Sequence, residues 1–462
     1  MNEIAAPAVA GAGAKAREAC GRTSVLAIST LGFTLMFAVW LMFGVLGIPI
    51  RKEFGLSSVQ LSWITAVAIL NGSIWRLFAG ILTDRYGGRK VFTAMLLFTA
   101  LPAFLVSRAT SYEQLLVYAF LVGIAGNSFS VGIAWDSAWY PKDRQGFALG
   151  VFGAGNVGAS VTKLIGPELI LLVPVAGYLG GFVPGGWRFI PFMYAVLLLL
   201  MAAAMWLFTP RHDHRPAQGR SLRQMLQPLK RIEVWRFSLY YVVVFGAYVA
   251  LAAWIPRYYV DVYGLKLAEA GLLTALFIFP ASLLRPVGGY FSDRFGARKV
   301  MYASFGLLLL ATLVLSMPSG HIVVNVAKDV DPRGFRDILH FDMTLWPFTI
   351  VLFLVGVAMG IGKAAVYKYI PDYFPDDVGA VGGLVGMLGA LGGFFLPPLF
   401  AYAENLTGMP QSTFFILFLL SLASAVWMHL TVMGVLQKAS PELRDDFERR
   451  TATAETKREA TT

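Results

Sequence analysis

The sequence predicts an all-α membrane protein, with twelve transmembrane helices in two pseudo-symmetric halves of six helices each. Three observations carry this prediction: few charged residues, long apolar runs and an internal repeat. Hydrophobic residues make up 57% of the 462 residues and charged residues only 14%, whereas soluble domains carry about 25% charge. Runs such as 25–50 and 194–208 suit a bilayer core of roughly 30 Å. Apolar runs of this length satisfy their backbone groups in lipid only as helices.

The apolar runs are separated by polar or glycine-rich turns, and a longer polar segment divides the first six from the last six. The twelve spans are predicted at 24–50, 59–83, 91–108, 114–140, 146–173, 188–208, 234–258, 267–291, 299–317, 345–370, 379–402 and 411–436. The predicted tail, first bundle, linker, second bundle and tail are 1–23, 24–208, 209–233, 234–436 and 437–462. Residues 318–344 are interpreted as an extracytoplasmic loop.

Lysine and arginine are concentrated in the two tails and in the loops that follow even-numbered spans. The positive-inside rule therefore predicts that both termini are cytoplasmic, in a multi-pass protein of the bacterial inner (plasma) membrane. The acidic loop with Asp372, Asp376 and Asp377 is an exception to this pattern. The rule also explains the net charge of +11 without nucleic acid as a partner, and the single cysteine excludes a disulfide within one chain.

The two halves share a motif, residues 76–90 and 285–299, at a constant offset of 209 residues. Each copy ends in a short basic turn that needs glycine. Its aspartate is placed to cap a neighbouring helix and to pair with arginine. We expect a conformational latch that opens when the halves move, although a simple topogenic turn would have the same sequence. The latch residues are Asp84, Arg85, Arg89, Asp293, Arg294 and Arg298.

Two arginines, Arg76 and Arg285, occupy equivalent positions inside the membrane. Each lies eight residues before the aspartate of its motif, or about 12 Å into the bilayer at 1.5 Å per residue. A charge there costs about 2.5–3.5 kcal/mol, and spans 2 and 8 carry no acidic residue at that level. Two unpaired guanidinium forks at one cavity would form a receptor for an oxyanion. Pairing with a backbone carbonyl or a distant carboxylate would instead give them only a packing role.

Spans 5 and 11 carry glycines three and four residues apart. This spacing lets helices approach backbone to backbone and move against each other, although ordinary tight packing would give the same pattern. In span 5, Asn156 reaches about the level of Arg76, at 1.5 Å per residue, and its amide is placed to donate to an anion. The expected hinge residues are Gly153, Gly155, Gly158, Gly386, Gly389 and Gly392.

Aromatic residues follow one face of spans 1 and 7 at helical spacing. Phe37, Phe245 and, in span 4, Phe129 are interpreted as cavity walls. Rings above and below a flat anion would exclude water and favour a delocalised, weakly hydrated ion. Phe33 and Trp40 are expected to be ordinary core residues. One turn before Phe245, a tyrosine adds a hydroxyl donor, and this residue is Tyr241.

The duplicated intramembrane arginine, the Gly-x-Gly-Asn-x-Gly of span 5 and the glycine-rich span 11 resemble the nitrate/nitrite porter family of the major facilitator superfamily, over nearly the whole chain. The resemblance implies a monomeric secondary active transporter without catalytic residues, cofactor or metal. It implies alternating access, in which the halves rock around a midplane site. The residues implied to bind nitrate or nitrite are Arg76, Arg285, Asn156, Tyr241, Phe37, Phe129 and Phe245.

Extra ionisable residues near the pathway distinguish this chain from exchanger members of that family, which tend to have neutral residues there. They are Asp136, Lys163, Lys363 and Lys368. The departure favours import by nitrate:proton symport, with these groups as candidates for proton coupling. An ion pair between Asp136 and Lys368 across the cytoplasmic mouth is an equally weighted alternative.

Three other functions are compatible with part of the sequence or are disfavoured by it. Nitrate/nitrite antiport without protons fits the same arginines, and so does a carrier of a small organic anion such as formate or oxalate. A membrane enzyme or receptor is disfavoured, because the sequence shows no His/Cys metal set and no nucleophile with a base. The expected ligands are therefore nitrate, nitrite and protons, in a lipid bilayer.

Overall fold

The computed structural model describes residues 6–214, 222–327, 330, 335–374 and 377–439, and these residues are mostly helical. The helices are α1 (Ala6–Trp40), α2 (Phe43–Phe54), α3 (Ser58–Ile74), α4 (Arg76–Tyr86), α5 (Gly88–Val106), α6 (Tyr112–Val122), α7 (Ser128–Trp139), α8 (Lys142–Ala154), α9 (Gly158–Leu172), α10 (Phe189–Phe208), α11 (Leu222–Leu226), α12 (Ile232–Tyr241), α13 (Ala247–Tyr263), α14 (Leu267–Leu283), α15 (Arg285–Phe295), α16 (Ala297–Ser316), α17 (Leu345–Tyr373), α18 (Val378–Ala390), α19 (Gly392–Thr407) and α20 (Ser412–Ala439). Two strands, β1 (Gly320–Asn325) and β2 (Phe335–Phe341), pair antiparallel.

The prediction of twelve spans is confirmed, with the second span bent. In the described residues, eleven helical stretches are long and apolar enough to cross a membrane, and α3 with α4 forms a twelfth that bends by 40°. The first and seventh spans extend past the predicted ends, to Phe54 and Tyr263. Each continues until a left-handed glycine stops it, Gly55 with φ 63° and Gly264 with φ 66°, because glycine adopts that conformation without steric cost.

Several spans are interrupted within their length. The helix breaks at Trp75 in span 2 and at Leu284 in span 8. Turns of 3₁₀ helix occupy Gly123–Asn127 in span 4 and Gly155–Val157 in span 5, and span 7 contains the π-helical turn Val242–Gly246. Such local departures from α-helix commonly mark hinges and functional sites, and here they lie in the spans that carry the predicted site residues.

Hydrogen bonds between spans distinguish two ends of the bundle. At one end, which we call the linker end, the Ser24 hydroxyl donates to the Phe208 carbonyl, next to the start of the linker. At the opposite end, Arg188 donates to Glu53 over 2.6 Å. The hairpin of β1 and β2 also lies at the opposite end, between spans 9 and 10, within the segment predicted to be a loop.

The two halves contact each other toward both ends and enclose the space between them. Toward the opposite end, Gly271 of span 8 approaches span 5 so closely that a Cβ there would lie 2.2 Å from the Lys163 carbonyl oxygen. Nearer the linker end, a Cβ on Gly150 would lie 3.7 Å from Pro286. Side chains in the central space are therefore shielded from water on both sides.

The basic turn between spans 2 and 3 is held by the linker, and the prediction that Asp84 caps a neighbouring helix is wrong. The Asp213 carboxylate accepts hydrogen bonds from the Arg89 backbone N–H (3.0 Å), at the start of α5, and from the Trp135 indole (2.7 Å). Gly87 makes room for that carboxylate, since a Cβ there would lie 2.6 Å from it. Asp84 forms no hydrogen bond or ion pair with any described residue.

Candidate functional site

The two intramembrane arginines occupy the same position relative to a break in their helices. Arg76 is the first residue of α4, directly after the break at Trp75, and Arg285 is the first residue of α15, directly after the break at Leu284. The Nε of Arg76 donates to the carbonyl of Gly72, in the preceding helix, over 2.9 Å. A break leaves helix-end carbonyls without intrahelical partners, and here one of them fixes an arginine side chain.

Neither guanidinium group has a counter-ion among the described residues. Arg76 is 1% exposed and Arg285 is 8% exposed. The Nη1 of Arg76 donates to the Gly386 carbonyl over 3.3 Å, but its Nη2 has no hydrogen-bond partner, and neither has the Nη1 of Arg285. Two buried cations with free donors and no carboxylate are unfavourable unless a negative group joins them. The arrangement is therefore suited to binding an anion.

Aromatic rings surround the two guanidinium groups, and one ring contacts both. The Phe129 ring centroid lies 5.5 Å from the Arg76 guanidinium carbon and 5.3 Å from that of Arg285. Phe245 lies 5.2 Å from Arg76, and Tyr367 lies 5.4 Å from Arg285. Ring faces attract cations, so these contacts offset part of the cost of burying two like charges and keep both forks beside Phe129.

Two further polar side chains in this region lack partners among the described residues. Both the amide nitrogen and the amide oxygen of Asn156 are buried without hydrogen bonds, and so is the Tyr241 hydroxyl. Asn156 lies in the 3₁₀ turn of span 5, and its backbone carbonyl accepts from the Tyr248 hydroxyl over 3.3 Å. Tyr241 directly precedes the π-helical turn and stacks on Phe245 at 4.9 Å. Native structures rarely leave such groups unpaired without a functional reason.

Three residues have different positions from those expected. Trp40 was expected to be a core residue, but its ring centroid lies 5.5 Å from the Arg76 guanidinium carbon. Phe37 was expected to line the cavity, but its ring packs on those of Trp40 and Phe33, with centroids 5.4 Å apart in each case. It forms no cation–π contact with either arginine. Tyr367, in span 10, was not predicted. The signal that could have found Trp40 is its place three residues after Phe37, on the same helix face; no comparable signal marks Tyr367.

The ionisable residues of the sequence analysis separate into different environments. The Ser29 hydroxyl donates to both carboxylate oxygens of Asp136 at 3.1 Å, and Lys368 forms an ion pair with Asp293 at 2.7 Å. The alternative of an ion pair between Asp136 and Lys368 is therefore wrong, because each has a nearer partner within its own half. Lys163 donates to the carbonyl of Ala159 on its own helix over 2.9 Å.

Lys363 is the one of these four residues that contacts the wall of the central site. Its ammonium lies 3.2 Å from the ring centroid of Tyr248 and 5.6 Å from that of Phe245. It donates to the Ala281 carbonyl over 2.9 Å and is fully buried. A third basic side chain therefore lies behind the rings that surround the arginine pair.

The glycines of spans 5 and 11 contact equivalent helices in the two halves. In the first half, a Cβ on Gly158 would lie 2.0 Å from the Thr34 carbonyl oxygen of span 1. In the second half, a Cβ on Gly389 would lie 2.4 Å from Tyr241 of span 7. Gly153 differs, because it faces Arg285 across the halves at 3.3 Å. These glycines let spans 5 and 11 approach the helices that carry aromatic site residues.

An ion-pair cluster at the opposite end joins the halves, and this cluster was not predicted from the sequence. Asp261 accepts from Arg51 of the first half and from Arg257 of the second half, both over 2.9 Å. Arg257 also donates to Glu404 over 2.9 Å. The spacing of Arg257 and Asp261, four residues apart on one helix, is the only part of this opposite-end cluster that a sequence pattern could suggest.

Twelve spans in two repeated halves, closed around a pair of buried cations, define a membrane transporter rather than an enzyme. Residues 28–327 and 263–458 match the family model described as Major Facilitator Superfamily. The chain is 71% identical to the "Probable nitrate/nitrite antiporter NarK1" of Thermus thermophilus, over 94% of this chain and 96% of that protein. The chain belongs to the nitrate/nitrite porter family of the major facilitator superfamily.

More distant relatives agree with this assignment, and a solved transporter structure shares the fold. The "Nitrite extrusion protein" of Bacillus subtilis is 32% identical over 87% of this chain and 94% of its own length. A "Probable nitrate transporter NarT" of Staphylococcus epidermidis is 29% identical over 88% and 95%. The crystal structure of a bacterial homologue of the human lysosomal transporter Spinster, inward-facing and occupied, superposes with a TM-score of 0.68 at 15% identity, covering 89% of this chain and 97% of that one. This last likeness concerns the fold alone.

Proposed function

We propose that this protein carries nitrate and nitrite across the bacterial inner membrane. The observation that supports the proposal most directly is the pair Arg76 and Arg285, buried together without a carboxylate and with unpaired donor nitrogens. A bound oxyanion supplies acceptors for both forks, and guanidinium–oxyanion bonds are among the strongest hydrogen bonds in proteins. The names of the 71% and 32% identical relatives favour nitrate and nitrite as the oxyanions.

The surroundings of the arginines favour a small, weakly hydrated anion. Phe129 and Phe245 present ring faces and edges to the space that an anion bound to Arg76 would occupy. These rings offer no hydrogen bonds to replace a strongly held water shell. Nitrate and nitrite spread one charge over planar oxygens and lose less by dehydration than sulfate or phosphate does. Asn156 and Tyr241 add donors of limited number, which suits a monovalent ion.

In this proposal the two six-helix bundles, 24–208 and 234–436, rock about the central site, so that it opens to one side at a time. The linker end and both termini face the cytoplasm, because lysine and arginine dominate the connections at that end. The opposite-end cluster of Arg51, Asp261, Arg257 and Glu404 then closes the extracytoplasmic side and must separate when that side opens.

The opposite-end cluster makes a testable contribution to that closure. Asp261→Asn removes the carboxylate shared by Arg51 and Arg257, and should weaken closure by about 1 kcal/mol, or about fivefold in population. We expect a thiol at position 58, in a Cys20→Ser/Ser58→Cys background, to be alkylated about fivefold faster in the Asp261→Asn protein. Asp342→Asn, at the same end but outside the cluster, is the matched control. Equal alkylation rates in the Asp261→Asn protein and its parent would show that the cluster does not hold this end closed.

We propose exchange of nitrate for nitrite as the coupling mode. Closing the bundle around Arg76 and Arg285 without an anion buries two cations whose donors have no protein partner, and such burial is costly. The return movement is therefore faster when a second anion accompanies it, which couples exit of one anion to entry of the other. The name of the 71% identical relative, an antiporter, points the same way.

Proton symport is the second candidate, and Lys363 is the observation that favours it. Its ammonium is fully buried against the aromatic wall of the site, bonded to a carbonyl oxygen and not to a carboxylate among the described residues. Loss of a proton from such a group would change the charge beside a bound anion. Asp136 is a weaker candidate, because its described contact is with Ser29, outside the aromatic cluster.

One experiment separates the two modes. Proteoliposomes containing a pH-sensitive dye receive external nitrate, with or without nitrite inside. We expect uptake only with internal nitrite or nitrate, and no change of internal pH. Uptake into anion-free vesicles with acidification of the interior would establish symport instead, and Lys363→Gln should then abolish the acidification. Uptake of formate or oxalate but not of nitrate would contradict the proposed substrate class.

A further inference from the structure

A second group of cations lies outside the central site, at the linker end of the second half. A small open pocket of about 50 Å³ lies there between spans 7, 9, 10 and 12. Its lining combines two arginines with a ring of aromatic side chains. The polar side chains that line the pocket are those of Arg236, Tyr240, Arg298, Tyr369, Tyr373 and Thr431.

The deepest cation of this pocket forms no hydrogen bond or ion pair with a described residue. Arg236 is only 7% exposed, and its guanidinium carbon lies 5.3 Å from the Phe237 ring and 5.9 Å from the Tyr373 ring. No hydrogen bond or ion pair joins Arg236 to any described residue. Glu233, on the same helix, is bonded to Arg231 instead, at 3.2 Å. A buried arginine without an acidic partner is stabilised by an external anion.

A second donor in the same pocket is also unpaired. The Tyr240 side chain is 1% exposed, and its hydroxyl has no hydrogen-bond partner among the described residues. It lies one turn after Arg236 on α12, so both groups belong to one helix face. Arg298, from α16, lines the pocket from another helix and is exposed. Three donors from two helices therefore converge on one space.

The position of the pocket in the fold adds to its positive character. Arg236 and Arg298 lie within the first two turns of α12 and α16, and the N-terminal ends of helices attract anions. The pocket lies where spans 7 and 9 begin and spans 10 and 12 end. Tyrosines at such a level mark the boundary between hydrocarbon and headgroups, and basic pockets between spans on this side of a membrane bind anionic lipid headgroups.

We propose that this pocket binds a phosphate group, presented by an anionic phospholipid headgroup or as free phosphate. Arg236 and Arg298 grip the phosphate oxygens, and the Tyr240 hydroxyl donates to a third oxygen. The aromatic side chains Tyr369 and Tyr373 flank the ester or the adjoining lipid surface. This site is separate from the arginine pair of the central space and does not depend on which anion the protein carries.

The test measures binding to the purified full-length protein by native mass spectrometry and by thermal unfolding. Three arms are compared: phosphatidylglycerol, phosphatidylcholine with the same chains, and inorganic phosphate. We expect retention of phosphatidylglycerol over phosphatidylcholine. Arg236→Gln and Arg298→Gln should each weaken it by at least about fivefold, since a basic residue near an anionic surface contributes about that factor. Arg223→Gln, a change at an exposed linker arginine that does not line the pocket, should bind as the parent does.

Each outcome decides the proposal. Selective binding of phosphatidylglycerol assigns the site to a lipid headgroup, and binding of phosphate without lipid selectivity assigns it to a soluble ion. Because Arg236→Gln is a change at a buried position, the exposed Arg298→Gln and the conservative Tyr240→Phe provide the same test if that variant does not fold. Parent-like binding in Arg298→Gln and Tyr240→Phe, or no binding of either phosphate source by the parent protein, would overturn the proposal.

Discussion

Replacing Arg76 or Arg285 with lysine should lower the initial rate of nitrate uptake by about 10- to 150-fold, since loss of one guanidinium–anion hydrogen bond costs about 1.5–3 kcal/mol. Lysine keeps the positive charge but lacks the planar fork. At position 76 the fork has a further task, because its Nε and Nη1 already donate to the carbonyls of Gly72 and Gly386. A lysine ammonium that keeps those two hydrogen bonds has few donor hydrogens left for an anion. Radiolabelled or electrode-detected uptake into proteoliposomes measures the effect.

Arg223→Lys serves as the control for these two variants, because Arg223 is an exposed arginine of the linker and is not among the residues that contact either site arginine. Its uptake should equal that of the parent protein. Size-exclusion profiles and thermal unfolding of all three variants establish that they fold. Uptake within a few-fold of the parent rate by either lysine variant would mean that the arginine pair is not the anion-binding site.

Gly271→Val should reduce transport to background while leaving the protein folded. A Cβ at Gly271 would lie 2.2 Å from the Lys163 carbonyl oxygen on the facing half, which is closer than any backbone contact tolerates, and valine adds two methyl groups. Spans 5 and 8 then cannot meet as they do here, and the opposite end cannot close. We expect a thiol at position 58, in the Cys20→Ser background, to be alkylated faster, together with the loss of nitrate uptake.

Gly306→Val is the matched control, because a Cβ at Gly306 on span 9 meets nothing within 4 Å. It should change neither uptake nor alkylation. If Gly271→Val transported nitrate at the parent rate, the close approach of spans 5 and 8 would not be required at any stage of transport. If it abolished uptake without raising alkylation, the block would lie elsewhere than in closure of the opposite end.

The fold could be predicted from the sequence because membrane spans are encoded locally. An apolar run of about 20 residues is sufficient to define a helix in lipid, and the repeated motif at 76–90 and 285–299 relates the halves without knowledge of their packing. The predicted helix ends were less accurate, because the helices continue through polar residues beyond the apolar runs and end at a left-handed glycine such as Gly55.

The arginine pair was also evident from the sequence, since duplication at equal depth is rare for residues that only pack. The helix breaks at Trp75 and Leu284, which precede the two arginines, were not predicted from the sequence. Pro286 lies two residues after Leu284 and cannot donate to the preceding helix, so the break in span 8 had a signal in the sequence. No proline lies near Trp75, and there the freed Gly72 carbonyl is bonded by the Arg76 side chain. Sequence periodicity reports a regular helix and is insensitive to such interruptions.

Two kinds of contact were not predicted: those that depend on how a helix is rotated about its axis, and those between residues far apart in the sequence. Trp40 and Tyr367 contact the arginines because of how spans 1 and 10 are turned about their axes, which composition does not specify. The opposite-end cluster brings Arg51 and Asp261 together from positions 210 residues apart. The alternative of an ion pair between Asp136 and Lys368 was wrong for the same reason, since matching charge and depth do not determine which partner lies nearer.

The hydrogen bonds of Asp213 have a consequence for how the polypeptide joins its halves. They fasten residues up to 214 to the first bundle through the Arg89 backbone and the Trp135 indole, while α11, which begins at Leu222, packs on α18 of the second bundle. Each bundle thus keeps its own stretch of the connecting segment. A gene divided after codon 214 should yield two polypeptides that each keep these anchoring contacts.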